Sequence, residues 1–350
     1  FIGFYINFDK LLQYKPMHSR LSKLELEIIS IISTDGDIEI AKLSKLVNAR
    51  PHQTRYAIEK LKQAGLTKPP RPLLDISKLG LTEYLVYFSL SSESHKKRDK
   101  ILSNLVKNKQ ITSVIEVGGE FQFLIAMLTK SPYEVHQILN QLVDDLGVSI
   151  VRKSVVVACA YTTFGRRYLS QKRSSTKTIG YQCKDLNSDK HDLIDLKIID
   201  GLCNNNFSSL LELSRQLSIP YPTLDRRIKQ LKEAQIIVGS IGEINLESLS
   251  LQMWKMLIHV RGIEKNAASK IYEFCNSQRN VTAILETFGS WDYEIWYEVG
   301  SSENLSRIES HFLQDLERYV HSIKLIPIFG QLKATEYQKK PVNLVKRMQI

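Results

Sequence analysis

At 350 residues the chain is long enough for two to four domains rather than one core. Hydrophobic residues at 43% and charged residues at 24% describe an ordinary globular protein, and no apolar run approaches the roughly 18 residues of a membrane span. A net charge of +11 favours a polyanionic partner, nucleic acid before membrane, although many basic proteins touch no nucleic acid.

In chain order, residues 1–19 read as an N-terminal extension. "FIGFYINFDKLLQYKPM" is aromatic but lacks the basic start and small-residue cleavage site of a leader. Met17 stands just before the first convincing helix, so residues 1–16 read as an upstream extension. Residues 20–67 place Leu24, Ile28, Ile31 and Ile32, then Ile40, Leu43 and Val47, then Ile58 and Leu61 at helical spacing. "NARP" breaks before the last helix, where a proline just inside costs nothing because its missing N–H had no partner. In "LTKPPRPLLDISKLG", Pro69, Pro70 and Pro72 argue against a regular strand ladder, leaving Lys68 and Arg71 free to touch a nucleic-acid backbone.

Residues 81–158 then read strand ("TEYLVYFSL"), helix ("RDKILSNLVKN"), a hairpin turning at Gly118-Gly119, helix ("SPYEVHQILNQLVDDLG") and strand ("SIVRKSVVV"). This βαββαβ order is the ferredoxin-like motif. Residues 159–189 are polar and basic and read as a flexible linker. Residues 190–246 hold a second helical trio, with Ser208 and Ser209 as candidate caps for the helix of Leu210, Leu213 and Leu217. "IIVGSIGEINLESLS" reads as a short wing strand, residues 251–330 as a second βαββαβ set, and residues 331–350 as a basic tail.

The two halves match at a constant offset of 170 positions. "PHQTRYAIEKLKQAGL" from Pro51 meets "YPTLDRRIKQLKEAQII" from Tyr221, and "VIEVGGEFQFLIA" from Val114 meets "ILETFGSWDYEIW" from Ile284. A constant offset over so long a stretch reads as a tandem duplication. The fold class is therefore α+β: two repeats, each a winged helix-turn-helix followed by a ferredoxin-like domain.

The third helix of each trio is the candidate reader of a DNA major groove. In the second, Leu224, Arg227, Ile228 and Leu231 share an inner face, leaving Thr223, Asp225, Arg226, Lys229 and Gln230 on others. In the first, Thr54, Ala57, Ile58 and Leu61 turn inward, leaving His52, Gln53, Arg55 and Tyr56. Arginine pairs bidentately with guanine and glutamine with adenine, whereas Lys62, Lys229 and Lys232 suit phosphates. Asp225 and Glu59 interrupt a uniformly basic face; such a carboxylate can accept from a cytosine amino group or orient an arginine. The bland alternative is an exposed amphipathic helix with solvated charges. The third position, the duplication and the basic chain weigh for double-stranded DNA.

With these motifs, and with "LIDLKIIDGL", "LSRQLSIPYPTLDRRIKQLKEAQIIVG" and "FGSWDY", the chain resembles the Lrp/AsnC family of feast/famine transcriptional regulators over nearly all of residues 20–330. The resemblance implies pairing through the ferredoxin-like domains, here within one chain, and modulation by a small effector such as an amino acid. It leaves room for further homo-oligomerisation. The family's G-x-x-D turn stands as Gly289-Ser290-Trp291-Asp292, and its counterpart is Gly119-Glu120-Phe121-Gln122. Gly289, Trp291, Asp292, Gly119 and Gln122 are thus the expected effector residues, with Asp292 foremost; the other reading makes Gly289 a turn and Asp292 a surface residue.

No catalytic constellation, phosphate loop or metal-ligand spacing stands out, so no enzyme, cofactor or metal is expected. Cys159, Cys183, Cys203 and Cys275 form no paired motif and suit the reduced thiols of a cytoplasmic protein. Two alternatives share the architecture. One is a sirohaem-decarboxylase-like tetrapyrrole enzyme, a type that uses histidine and arginine where "VTAILETFGSWDYEIW" and "ITSVIEVGGEFQFLIA" have neither. The other is an effector sensor without DNA binding.

Overall fold

The computed structural model describes residues 21–147, 149–170, 177–184, 191–204, 207, 209–246, 249–262, 266–300, 302–335 and 337. The expected extension 1–19, residues 171–176 and 185–189 of the expected linker, Ser208, and residues 336 and 338–350 of the tail lie outside them.

Three helices come first: α1 (Lys23–Ile32), α2 (Ile40–Leu46) and α3 (Pro51–Gln63). They are followed by β1 (Arg71–Leu74), β2 (Thr82–Leu90), α4 (Ser92–His95), α5 (Arg98–Lys107), β3 (Ile111–Val117), β4 (Phe123–Thr129), α6 (Pro132–Leu146), β5 (Ile150–Thr163) and β6 (Ile179–Gln182). A second set of three is α7 (Leu193–Asn204), α8 (Leu210–Leu217) and α9 (Tyr221–Glu233). The chain continues through β7 (Ile237–Ile241), β8 (Gln252–Val260), α10 (Ala267–Ser277), β9 (Val281–Gly289), β10 (Tyr293–Val299), α11 (Ser302–Leu316) and β11 (Val320–Ala334). The protein is mixed α+β. Local chemistry accounts for the helix starts: Ser22 accepts from Glu25 N while the Glu25 carboxylate takes Ser22 N, and Ser209 Oγ accepts from Glu212 N.

Strand order in the large sheet is β2-β4-β3-β11-β8-β10-β9-β5-β6, and β2 also pairs with β5. The first eight strands therefore close on themselves as an antiparallel barrel, with β6 appended to β5. Closure gives each of those eight strands at least two neighbours, and β5 a third in β6, and buries both faces. The sequence follows suit. Along β2, Tyr84, Val86 and Phe88 pack outward with Ile101, Leu105, Ile138 and Leu139 of α5 and α6. Between them Leu85 and Tyr87 point into the barrel, where they meet Leu124, Val156, Leu257, Leu285 and Trp291. Such a strand loses the in–out alternation and reads as a continuous apolar run.

The helical trios are tied to each other as well as to their own neighbours in sequence. β1 and β7 pair antiparallel, with Arg71 opposite Ile241 and Pro72 opposite Ser240. The expectation that Pro69, Pro70 and Pro72 preclude a strand is thus corrected. A two-stranded ribbon uses one edge of each strand, so a residue without an N–H fits where its nitrogen faces outward. The segments after each trio cross over as well. Leu74, Ile76, Leu79 and Leu81 complete the core of α7–α9 around Ile198, Leu213, Leu224 and Ile228. Ile244 and Leu249 complete the core of α1–α3 around Ile28, Leu43, Ala57 and Leu61. Gly36 N donates to Ser240 O at 3.0 Å and Gly242 N to Ile32 O at 2.9 Å, reinforcing the contact.

The described parts of the expected linker, residues 159–170 and 177–184, are built into the fold rather than open as their composition suggests. β5 runs on to Thr163, and Ala160–Thr163 pair with Ile179–Gln182. Arg166 makes a bidentate pair with Glu298 at 2.8 and 2.9 Å. Arg167 donates to the carbonyls of Cys275, Asn276 and Gln278, which cap the C-terminus of α10. Basic side chains that look solvated in sequence are here anchored by carboxylates and orphan carbonyls from distant segments.

Candidate nucleic-acid interface

α3 and α9 present the same construction. Thr54, Ala57 and Leu61 are buried on α3, as are Leu224, Ile228 and Leu231 on α9. Ser44 Oγ meets Thr54 Oγ1 at 2.9 Å, fixing α2 against α3. Arg227 is likewise structural: it reaches Asp192 at 2.5 Å and Asp195 at 3.0 Å, pinning α9 to the start of α7. These bonds hold the Asp192 carboxyl below its ordinary range and raise Arg227, the backbone N–H of Asp195 leading for the former and Asp192 for the latter.

The side chains chosen as DNA readers fall where the wheels put them. His52, Gln53, Arg55, Tyr56 and Lys62 are exposed on α3, Tyr56 at 73%. Arg226, Lys229 and Gln230 are exposed on α9, while Thr223 and Asp225 are half-buried. Several already hold one another: Lys229 to Asp225 at 2.7 Å, Lys62 to Glu59 at 3.0 Å, and Arg226 to Gln230 at 3.0 Å. Exposed pairs of this kind are worth about 0–1 kcal/mol, so a phosphate or base edge displaces them at small cost. Gln53 has a local task that the sequence did not disclose, accepting from Arg50 N at 3.0 Å at the head of α3. Lys232 bonds Asp37 of the α1–α2 loop at 2.9 Å. Lys68 and Arg71, expected to be free, both bind Glu243, at 2.6 and 2.8 Å.

Four of the five expected effector residues serve turns or strand ends, and the fifth, Trp291, is packed in the barrel core. Asp292 Oδ2 accepts from Val260 N at 2.8 Å, and Gln122 Oε1 accepts from Leu90 N at 3.0 Å. The amide in one half and the carboxylate in the other thus cap equivalent strand ends. Trp291 is buried, its indole donating to Glu294 at 3.0 Å. Gly289 has φ +136°, and a Cβ there would lie 2.5 Å from Val155 O, so the turn admits only glycine. Gly119, at φ +77°, makes the corresponding turn.

A second feature was invisible in the sequence. The barrel lumen is filled at one end and open at the other, leaving a cavity of about 1120 Å³ roofed by the β1–β7 ribbon. Leu85, Leu285, Tyr161 and Trp296 line its wall; Lys68, Arg71 and Glu243 belong to its roof. Lys255 bonds Glu294 of the neighbouring strand at 2.8 Å and reaches across the lumen to Tyr87 Oη at 3.1 Å. Burial, then Glu294, pushes the Tyr87 phenol well above its ordinary pKa, keeping it a neutral donor or acceptor. Burial opposes the charge on Arg166, but Glu298 outweighs it and raises the guanidinium pKa further. No single stretch of sequence carries this arrangement, because its members come from six or more strands that meet only on closure. Among the described residues there is no cluster of His, Cys, Asp and Glu able to hold a metal, and no helix is long and apolar enough to cross a membrane.

Two trihelical units thus ride on an antiparallel barrel. No family profile matches this sequence. The helix-turn-helix-type transcriptional regulator FL11 of Pyrococcus horikoshii is 25% identical over 141 residues, 40% of this chain and 92% of FL11. The helix-turn-helix-type regulator Ptr1 of Methanocaldococcus jannaschii is 32% identical over 105 residues, 29% of this chain and 67% of Ptr1. The chain belongs to the Lrp/AsnC family of helix-turn-helix transcriptional regulators. Among solved structures, the siroheme decarboxylase NirDL superposes with a TM-score of 0.57 at 12% identity, covering 89% of this chain and 93% of that one. An identity that low carries the fold alone.

Proposed function

We propose that the protein is a sequence-specific, double-stranded-DNA-binding transcription regulator whose two halves, the products of a tandem duplication, pair within one chain as a pseudo-dimer. The observation that carries this reading is the duplicate reader helix: α3 and α9 each bury one apolar face and expose a basic one. The β1–β7 ribbon holds the two trios together. Two readers of different composition, His52-Gln53-Arg55 and Thr223-Asp225-Arg226, imply an operator with unlike halves. In this reading the protein works in the cytoplasm, has no catalysis of its own, and answers to a small effector such as an amino acid.

The test is selection of bound fragments from the source genome over a salt series. Enrichment of one asymmetric site, weakening steeply with salt, is the expected outcome. A palindromic operator with equal protection of both halves refutes the unlike readers, and no enrichment at any salt refutes DNA binding.

The fold shared with NirDL over 89% of the chain favours a second reading, a tetrapyrrole enzyme acting in the lumen. NirDL itself has been determined with an iron-uroporphyrin III analogue. Of the histidine and arginine such enzymes use, Arg71 and Arg166 line the cavity and none of the described histidines does. Consumption of a sirohaem substrate by the purified protein would establish that reading over the first.

A further inference from the structure

We infer that the barrel lumen is a binding site for an aromatic anion, and that its roof, the β1–β7 ribbon, passes occupancy to both reader helices. The second clause rests on the regulator reading; the first does not.

The volume, about 1120 Å³, is at the upper end of what small-molecule sites offer, far beyond a packing defect. Its wall suits an aromatic guest. Tyr161 and Trp296 stand edge to face at 5.9 Å, and the Lys255 ammonium lies 4.7 Å from the Trp296 ring centre. The indole N–H of Trp296, on the cavity wall, is buried without an acceptor. A buried donor of this kind is rarely left unpaired, and a guest bearing carboxylate or similar oxygens supplies what it lacks.

Charge selects the sign of the guest. Within the lumen Arg166 is matched by Glu298 and Lys255 by Glu294. Glu83 adds a further carboxylate on the wall. At the roof the balance differs, because Lys68 and Arg71 share the single carboxylate of Glu243. One positive charge is left in excess there, where an anionic group on the guest would sit. The Arg71 guanidinium also donates to Ala334 O, joining the roof to the end of β11.

Transmission follows from what the roof is made of. Leu73, Ile241, Glu243 and Ile244 all touch the cavity. Leu74, next to Leu73, is buried in the core of α7–α9, and Ile244 is buried in the core of α1–α3. A guest pressing on the ribbon therefore acts on both trios at once. The differential contact needed for a ligand to shift an equilibrium lies between barrel and ribbon rather than on either reader helix.

The test titrates the full chain with 8-anilinonaphthalene-1-sulfonate, an aromatic anion, following dye emission and tryptophan quenching. Saturable one-to-one binding is expected. Filling the lumen with Ala283→Phe should weaken it by about tenfold or more. Ala283 is buried on the cavity wall, so overpacking can unfold that variant. Lys68→Met with Arg71→Met, at the surface of the roof, gives an independent arm and should weaken the dye several-fold. Unsaturable binding, or equal affinity in wild type and the folded variants, overturns the site. With a selected DNA fragment, saturating dye should change the affinity of wild type and leave the Ala283→Phe variant unmoved. Dye bound in the lumen with DNA affinity unchanged overturns the coupling alone. A protein that binds dye but never DNA refutes the regulator reading and leaves the lumen site standing.

Discussion

Leu74→Ala tests the crossing of the two trios directly. Leu74 follows α3 in sequence and is 2% exposed, but its neighbours are Ile198, Leu213, Leu224 and Ile228 of the other trio. A buried leucine cut to alanine loses its transfer free energy and leaves a cavity, together about 2–5 kcal/mol. At about 1.4 kcal/mol per decade, that range corresponds to a roughly thirty- to several-thousand-fold faster exchange of amides that open with this core. The assay is hydrogen exchange read by mass spectrometry on peptides from residues 193–204, 210–217 and 221–233 against those from 23–32, 40–46 and 51–63. Protection should fall in α7–α9. Leu249→Ala is the mirror experiment, because Leu249 is fully buried among Ile28, Leu43 and Leu61, and it should loosen α1–α3. Loss of protection confined to α1–α3 in Leu74→Ala would refute the crossed cores.

Lys255→Met strands the fully buried Glu294 carboxylate and should cost about 3–5 kcal/mol by urea unfolding, whereas adding Glu294→Leu should restore most of it; a single substitution costing no more than the double would contradict the pairing. Glu25, whose carboxyl is raised by burial but lowered overall by Lys60 and the Ser22 cap, stays ionised below its ordinary value of 4.5. A depressed folded-state pKa contributes stability above the unfolded value that vanishes as pH falls through the folded one. The melting-temperature gap between wild type and Glu25→Gln should therefore be flat at neutral pH and shrink on the acid side of 4.5, and a gap that widens there would be wrong for this assignment. Arg226→Ala and Lys229→Ala should each flatten the slope of log affinity against log salt by about 0.9 if each contacts one phosphate. Arg227→Ala should instead destabilise α9 against α7 with that slope retained, since its partners are Asp192 and Asp195.

The sequence by itself determined most of the local structure, because local structure depends on spacing that any reader can count. Leu24, Ile28 and Ile31 sit on one helical face whatever lies around them, and "TEYLVYFSL" spans β2 residue for residue. The inner and outer faces of α3 and α9 followed from the same counting, and so did the separation of Arg227 from Arg226. Only the tertiary structure decided what depends on partners distant in sequence. Pro72 could enter a strand because β7 offered a one-sided edge. Arg166 and Arg167 became anchors because Glu298 and the end of α10 arrive beside them. Asp292 and Gln122, so unlike in sequence, were set to the same capping task by the strand ends they face. The lumen, its aromatic wall and its charged roof exist only once eight strands have closed. Periodicity fixes which way a side chain points, but only the register of closure decides what it meets there.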